Sequence, residues 1–194
     1  MKRRSFIKKG ALLSSAPFIT TGLFARALTN KKIAERPFKL NYAPHFGMFK
    51  HNAGDDLLDQ IQFMHDQGFR SLEDNGMKGR SKKTQNQIAK KMAKLNMDMG
   101  VFVGHKIYWR EPNLTSGDKS LQDEFVNNIK DSIDVAKRVN ATWMTVVPGH
   151  VDLKKEIAYQ TVNVVEALRR ASELLEPHGL VMVLEPLNWW SNHA

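Results

Sequence analysis

No cysteine occurs in the 194 residues. That absence removes a disulfide framework and any thiolate metal site. No G-x-G-x-x-G follows the first apolar stretch and no Walker loop is present, which disfavours a dinucleotide-binding or P-loop fold. No stretch is suited to span a bilayer: the weakly apolar run from Gly10 to Phe24 is too short and too rich in Ser and Thr. Acidic residues are missing from positions 1–27, which hold Lys2, Arg3, Arg4, Lys8, Lys9 and Arg26. The net charge of +9 therefore belongs mostly to the N-terminus; the remainder carries 23 basic and 20 acidic residues, a balance of +3. Lys82, Lys83, Lys90, Lys91 and Lys94 fall where a helix would expose them. Without aromatic interleaving they read as a solvated face, and no nucleic-acid partner is expected.

What is present begins with an address. A basic opening, an apolar stretch and the small residues of Ala25-Arg26-Ala27 have the layout of a cleavable signal peptide. Arg3-Arg4 followed by Ser5-Phe6-Ile7-Lys8 resembles the twin-arginine motif, which in bacteria exports folded proteins. The expected organisation is a signal over residues 1–27, a polar linker over 28–37 and one domain over 38–194, located in the periplasm.

The domain alternates two kinds of segment. Strands are expected at 38–43, 69–75, 97–105, 142–147 and 180–184. Between them, three-to-four spacing of apolar residues predicts helices over about 55–68, 83–96, 120–140 and 153–175. Ile61 and Met64, then Ile88 and Met92, then Phe125, Ile129 and Ile133 mark their buried stripes. In the last helix Ile157, Val164, Val165, Leu168 and Leu175 are expected inward. Strands separated by single helices at intervals of about 30–40 residues predict βαβ crossovers and a parallel sheet. The fold class is α/β. With dinucleotide folds disfavoured, the (β/α) TIM barrel is the remaining common solution, here with about five of its eight units.

Chemistry is expected where parallel strands end. Leu180-Val181-Met182-Val183-Leu184 reads as a buried strand running into Glu185-Pro186-Leu187-Asn188. Counting by two aligns Glu185 with Val183 and Val181. A carboxylate on a barrel's inner face is costly unless it meets a cation or a base. His45, His105 and His150 follow other strands, the last two after Gly104 and Gly149, where a missing side chain would let a substrate approach. Glu73 and Asp74 end the second strand, and opposite facing allows only one of them into a site. Asn188 and His193 follow Glu185. Trp109, Trp189 and Trp190 are candidate covers for a sugar-like ligand. His65 and His178 read as structural.

The run Leu184-Glu185-Pro186-Leu187-Asn188, followed by Asn192-His193, resembles the xylose-isomerase-like TIM-barrel family, in its hydroxypyruvate isomerase and sugar-epimerase branch. Ala136-Lys137-Arg138-Val139-Asn140-Ala141 and Val146-Val147-Pro148-Gly149 add to the likeness. The resemblance implies an eight-stranded barrel and proton transfer between adjacent carbons of a small sugar or other hydroxy-carbonyl compound through an enediolate. It implies a divalent metal (Mn, Mg, Co or Zn) and gives Glu185 the roles of metal ligand and proton shuttle. His193 takes a substrate-pocket place, and His45, His105, His150 and Asn188 are further substrate-binding candidates. The family's remaining ligands lie on strands six to eight, beyond this sequence. Truncation, a split gene, an incomplete sequence or completion by a partner chain would explain that, and the chain alone is expected to be inactive. The rival expectations are an apurinic-site endonuclease on the same barrel and a non-catalytic carbohydrate-binding remnant.

Overall fold

A computed structural model describes residues 38–187. The elements in chain order are α1 (Lys50–Ala53), α2 (Leu57–Asp66), β1 (Ser71–Leu72), α3 (Lys82–Lys94), β2 (Asp98–Met99), α4 (Lys119–Val139), β3 (Trp143–Val146), α5 (Ile157–Leu175) and β4 (Val181–Leu184). Both ladders are parallel: Ser71 faces Asp98 and Leu72 faces Met99, while Trp143 to Val146 face Val181 to Leu184 in order. Isolated parallel bridges, His45 with Glu73 and Val103 with Thr145, join the pieces into one sequential arc. The alternating α/β order and parallel pairing are those of a partial TIM barrel.

Local chemistry explains the helix starts. The Asp56 carboxylate accepts from the amides of Leu58 and Asp59, and that of Asp118 from Ser120 and Leu121. Ser81 caps α3 through the Thr84 amide. Each cap satisfies donors that the first helical turn leaves unpaired. The left-handed Asn140, at φ 55°, ends α4 one residue before Ala141 enters the buried approach to β3.

Paired residues share a sheet face. Leu72, Met99, Met144 and Val146 turn into the core, where Ile61, Ile88 and Ile129 of three helices join them. Ser71, Asp98, Val103, Trp143, Thr145, Val181 and Val183 fall on the other face, which in a barrel is the interior.

Four expectations need correction. Residues 38–43 form no strand; only their continuation pairs, through the His45–Glu73 bridge and the Glu73 amide donating to the Pro44 carbonyl. Pro44, directly after them, has no amide to give a ladder. The last helix begins at Ile157, not Leu153, because Gln160 folds back on the preceding turn, accepting from the Asp152 amide and donating to the carbonyls of Asp152 and Lys155. Its buried stripe runs through Gln160, Ala167, Ala171 and Leu175; Ile157 and Val165 point outward, 66% and 57% exposed. Small alanines, not the larger valines, let this helix approach its neighbours. Finally, 180–184 is a strand but not a buried one: Val181, Val183 and Leu184 are 47%, 41% and 51% exposed. Among the described residues β4 pairs on one edge alone, with β3.

Candidate functional site

Beyond the last β3–β4 pair the ladder continues one step, with the Glu185 amide donating to the Val146 carbonyl at 3.0 Å. Glu185 thus leaves the carboxyl end of β4 on the interior face, where strand parity placed it. There it borders a cavity of about 370 Å³, together with Asn75, Val103, His105, Ile107, Trp109, Val147 and Leu187. The walls are mainly apolar and aromatic, with Asn75 and His105 among them, and Glu185 is the one carboxylate among the described lining residues. Glu185 itself is exposed. No partner holds it in a salt bridge among the described residues, so a structural ion pair does not account for it.

The loop over the cavity is fastened from outside. Tyr108 donates to Glu124 of α4 at 2.5 Å, and Lys106 donates to the Tyr108 hydroxyl at 2.8 Å and to Glu124 at 3.3 Å. The Tyr108 bond, followed by the one from Lys106, draws the Glu124 carboxyl below its usual range. This anchorage leaves the adjacent Ile107 and Trp109 turned to the cavity.

His105 is 5% exposed, and both of its ring nitrogens are engaged. Nε2 accepts from the Val147 amide at 3.0 Å, so the ring is neutral and its proton sits on Nδ1, which donates to the Lys106 carbonyl at 2.8 Å. Burial, with the Lys78 charge nearby, pushes its pKa down to about 4 despite the Nδ1 bond. Its ring edge borders the cavity beside Glu185 while its polar atoms are spent on backbone.

The other candidates lie apart. The His45 imidazole stands 3.4 Å from Glu73, outside the lining of this cavity. Glu73 instead borders a second hollow of about 510 Å³ with Ser71, Asp98 and Trp143. Asp74 takes the opposite face, as parity required: it is 4% exposed and held by Arg80 through two bonds, at 2.5 and 3.1 Å. His150 Nε2 meets the Trp109 carbonyl at 2.9 Å, and its own carbonyl accepts from Thr115. Asn188, Trp189, Trp190 and His193 fall outside the described residues, as does the signal assigned to 1–27.

The two glycines serve packing instead of substrate approach. A Cβ on Gly104 would stand 2.8 Å from Met144 Sδ and 3.2 Å from Ile129 Cδ1. On Gly149, at φ 103°, it would meet Asn113 Oδ1 at 2.1 Å. Sequence reasoning missed Asn75 and Val147 as cavity walls. Asn75 was legible as the last residue of the expected strand 69–75; nothing in the sequence marks the Val147 amide as an anchor.

A metal ion finds no complete donor set here. Among the described residues no three His, Cys, Asp or Glu side chains converge. Glu185 offers one carboxylate, and the nitrogens of His105 are already bonded. Divalent ions need several oxygen or nitrogen ligands. The described residues therefore do not fit such an ion by themselves. No described helix is long and apolar enough to cross a membrane.

The sequence pattern of the xylose isomerase-like TIM barrel matches residues 61–194. No curated protein matches the chain significantly. Several solved structures share its fold. An AP endonuclease of family 2 from Brucella melitensis superposes with a TM-score of 0.59 at 17% identity, covering 76% of this chain and 55% of that one. A 3-keto-D-glucoside 4-epimerase from E. coli gives 0.61 at 14% identity, covering 77% and 57%. A D-psicose 3-epimerase from Clostridium cellulolyticum H10, solved with D-tagatose, gives 0.60 at 17% identity, covering 79% and 54%. The chain spans just over half the length of these structures.

Proposed function

The chain belongs to the xylose isomerase-like TIM-barrel family, and from that premise we propose that it serves an isomerase or epimerase reaction on a small sugar or hydroxypyruvate-like compound. One observation carries the reading. A carboxylate with no ion-pair partner among the described residues stands at the carboxyl mouth of a parallel arc, beside a cavity with mainly apolar and aromatic walls. Such a mouth is where this architecture places chemistry.

In this reading Glu185 takes a proton from the carbon beside a carbonyl. The C–H electron pair forms a carbon–carbon double bond, and the carbonyl π pair moves to oxygen, giving an enediolate. Return of the proton to the former carbonyl carbon, with the hydroxyl proton passing from the neighbouring oxygen to the former carbonyl oxygen, completes an isomerisation. Return to the opposite face of the first carbon completes an epimerisation and requires a second acid across the substrate. Trp109, Ile107 and Val103 exclude water from one side of the bound compound. No step is derived through a metal, because the described donors do not fit one.

The test is deuterium wash-in. The purified chain is incubated in D₂O with D-fructose, D-tagatose or hydroxypyruvate, and carbon-bound protons are followed by ¹H NMR. Complete turnover is not expected of the chain alone, but this exchange needs only the Glu185 base: loss of the proton next to the carbonyl is expected, slowed at least ~100-fold by Glu185→Gln. Sugar binding that survives Glu185→Ala without wash-in would favour the carbohydrate-binding rival. Salt-steep binding of abasic DNA without wash-in would favour the endonuclease.

Residues 1–27 are proposed as a twin-arginine signal delivering the protein to the periplasm. A reporter fused to them should be exported, and Arg3→Lys with Arg4→Lys should abolish export.

A further inference from the structure

The parallel bridge of Val103 with Thr145 is followed by a substitution of partners. Thr145 donates to the Phe102 carbonyl at 2.8 Å, and Gly104 donates to the Thr145 carbonyl at 3.0 Å. In a parallel ladder the next rung, two residues on, would run from the Val147 amide to the Gly104 carbonyl. That carbonyl is occupied elsewhere. Lys78 Nζ donates to it at 3.0 Å and Ser132 Oγ at 2.5 Å, with the same two donors also bonded to the Asn128 carbonyl. Gly104 is thus held towards α4, and the segment after Val103 parts from β3 where the cavity begins. A buried Val147 amide would be left without an acceptor, which is costly in an apolar interior. The His105 imidazole fills the place, with Nε2 at 3.0 Å.

The same peptide unit carries Glu185. Its nitrogen is that of Val147, bonded to His105; its oxygen is that of Val146, which accepts the Glu185 amide at 3.0 Å. A planar peptide transmits a tilt at one end to the other. β4 has no second strand neighbour among the described residues to steady it.

We infer that His105 is a positioning residue for Glu185: its ring stands in for the rung missing after the Val103–Thr145 bridge and, through the Val146–Val147 peptide, fixes where the strand presents its carboxylate. The inference rests on the reading of Glu185 as the reacting group. The ring edge forms the cavity wall while its nitrogens hold the frame, so one side chain both shapes the pocket and sets its reacting group.

The experiment is amide hydrogen exchange by NMR on the full chain, comparing wild type, His105→Phe and His105→Gln. Phe keeps an aromatic body of similar size without an acceptor. Gln restores an acceptor oxygen and an amide donor. In His105→Phe the Val147 amide should exchange at least ~10-fold faster and the Glu185 amide at least ~3-fold faster, with Met144 and Thr145 unchanged. His105→Gln should recover most of both. Unaltered Glu185 exchange in a folded His105→Phe, or equal loss in Phe and Gln, would overturn the inference. If His105→Phe does not fold, ¹⁵N shifts of the wild-type imidazole decide: a proton on Nδ1 with a bonded, bare Nε2 supports it, and a proton on Nε2 overturns it. These readouts need no substrate. Absent deuterium wash-in would therefore defeat the proposed reaction while leaving the tie to stand or fall separately.

Discussion

β3 and β4 have similar sequences and share one ladder, yet they live in different surroundings. Trp143-Met144-Thr145-Val146 places three of its four residues in the buried class. Val181-Met182-Val183-Leu184 places none there. The helices follow suit: α4 buries Phe125, Ile129 and Ile133, whereas α5 leaves Ile157, Val162 and Val165 largely exposed. Hydrogen bonding along one edge evidently sets a strand's direction and register. Burial needs neighbours on both edges and both faces.

The sharpest way to break this contrast is to empty each strand in turn. Met144→Ala removes a fully buried side chain packed near Gly104 and Ile129. It should cost about 2–5 kcal/mol in urea unfolding, whereas Val183→Ala should cost under about 1 kcal/mol. Equal losses would show that β4 is covered in solution.

The next effect is titration of His105, beside the Val103–Thr145 bridge. The His105 pKa lies at about 4 in the folded chain, below its ordinary 6.5. The unfolded chain therefore binds the proton more readily. Stability from this group is complete above pH 6.5, declines as pH falls and is lost below pH 4, a change of about 3 kcal/mol. Urea midpoints between pH 7 and 4 should show the decline, and His105→Gln should flatten that part of it.

Ion pairs give a comparison of the same form. Arg80 holds the nearly buried Asp74 through two bonds, whereas on α5 Arg169 meets Glu166 and Glu173 with all three side chains at least half exposed. Arg80→Met should cost about 2–3 kcal/mol because it strands a buried carboxylate. Arg169→Met should cost less than about 0.5 kcal/mol and depend on salt, readable in the same unfolding assay.

Much of the scaffold was legible from spacing. The stripes of Ile61–Met64 and Ile129–Ile133 needed only local rules. So did the separation of Glu73 from Asp74, since adjacent strand residues face opposite ways. The inward stripe of α5 was not legible, because alanines carry little hydrophobic signal yet permit close approach. The exposure of β4 was hidden for a related reason: an apolar run states what a strand prefers to bury, not what is there to cover it. At the site, the position of Glu185 followed from parity. The bonding of His105 did not, because it depends on Lys78 and Ser132 claiming the Gly104 carbonyl from 26 residues upstream and 28 downstream.

The order of the strands carries a consequence for how the chain is made. Ser71 meets Asp98 and Trp143 meets Val181, separations of 27 and 38 residues. Each strand docks on the one synthesised just before it. Parallel pairing at such separations forms more slowly than a hairpin, but closing each loop on the strand just made keeps the entropy of each closure modest. A nascent chain could therefore settle one unit at a time as it leaves the ribosome, every new segment finding its template already in place.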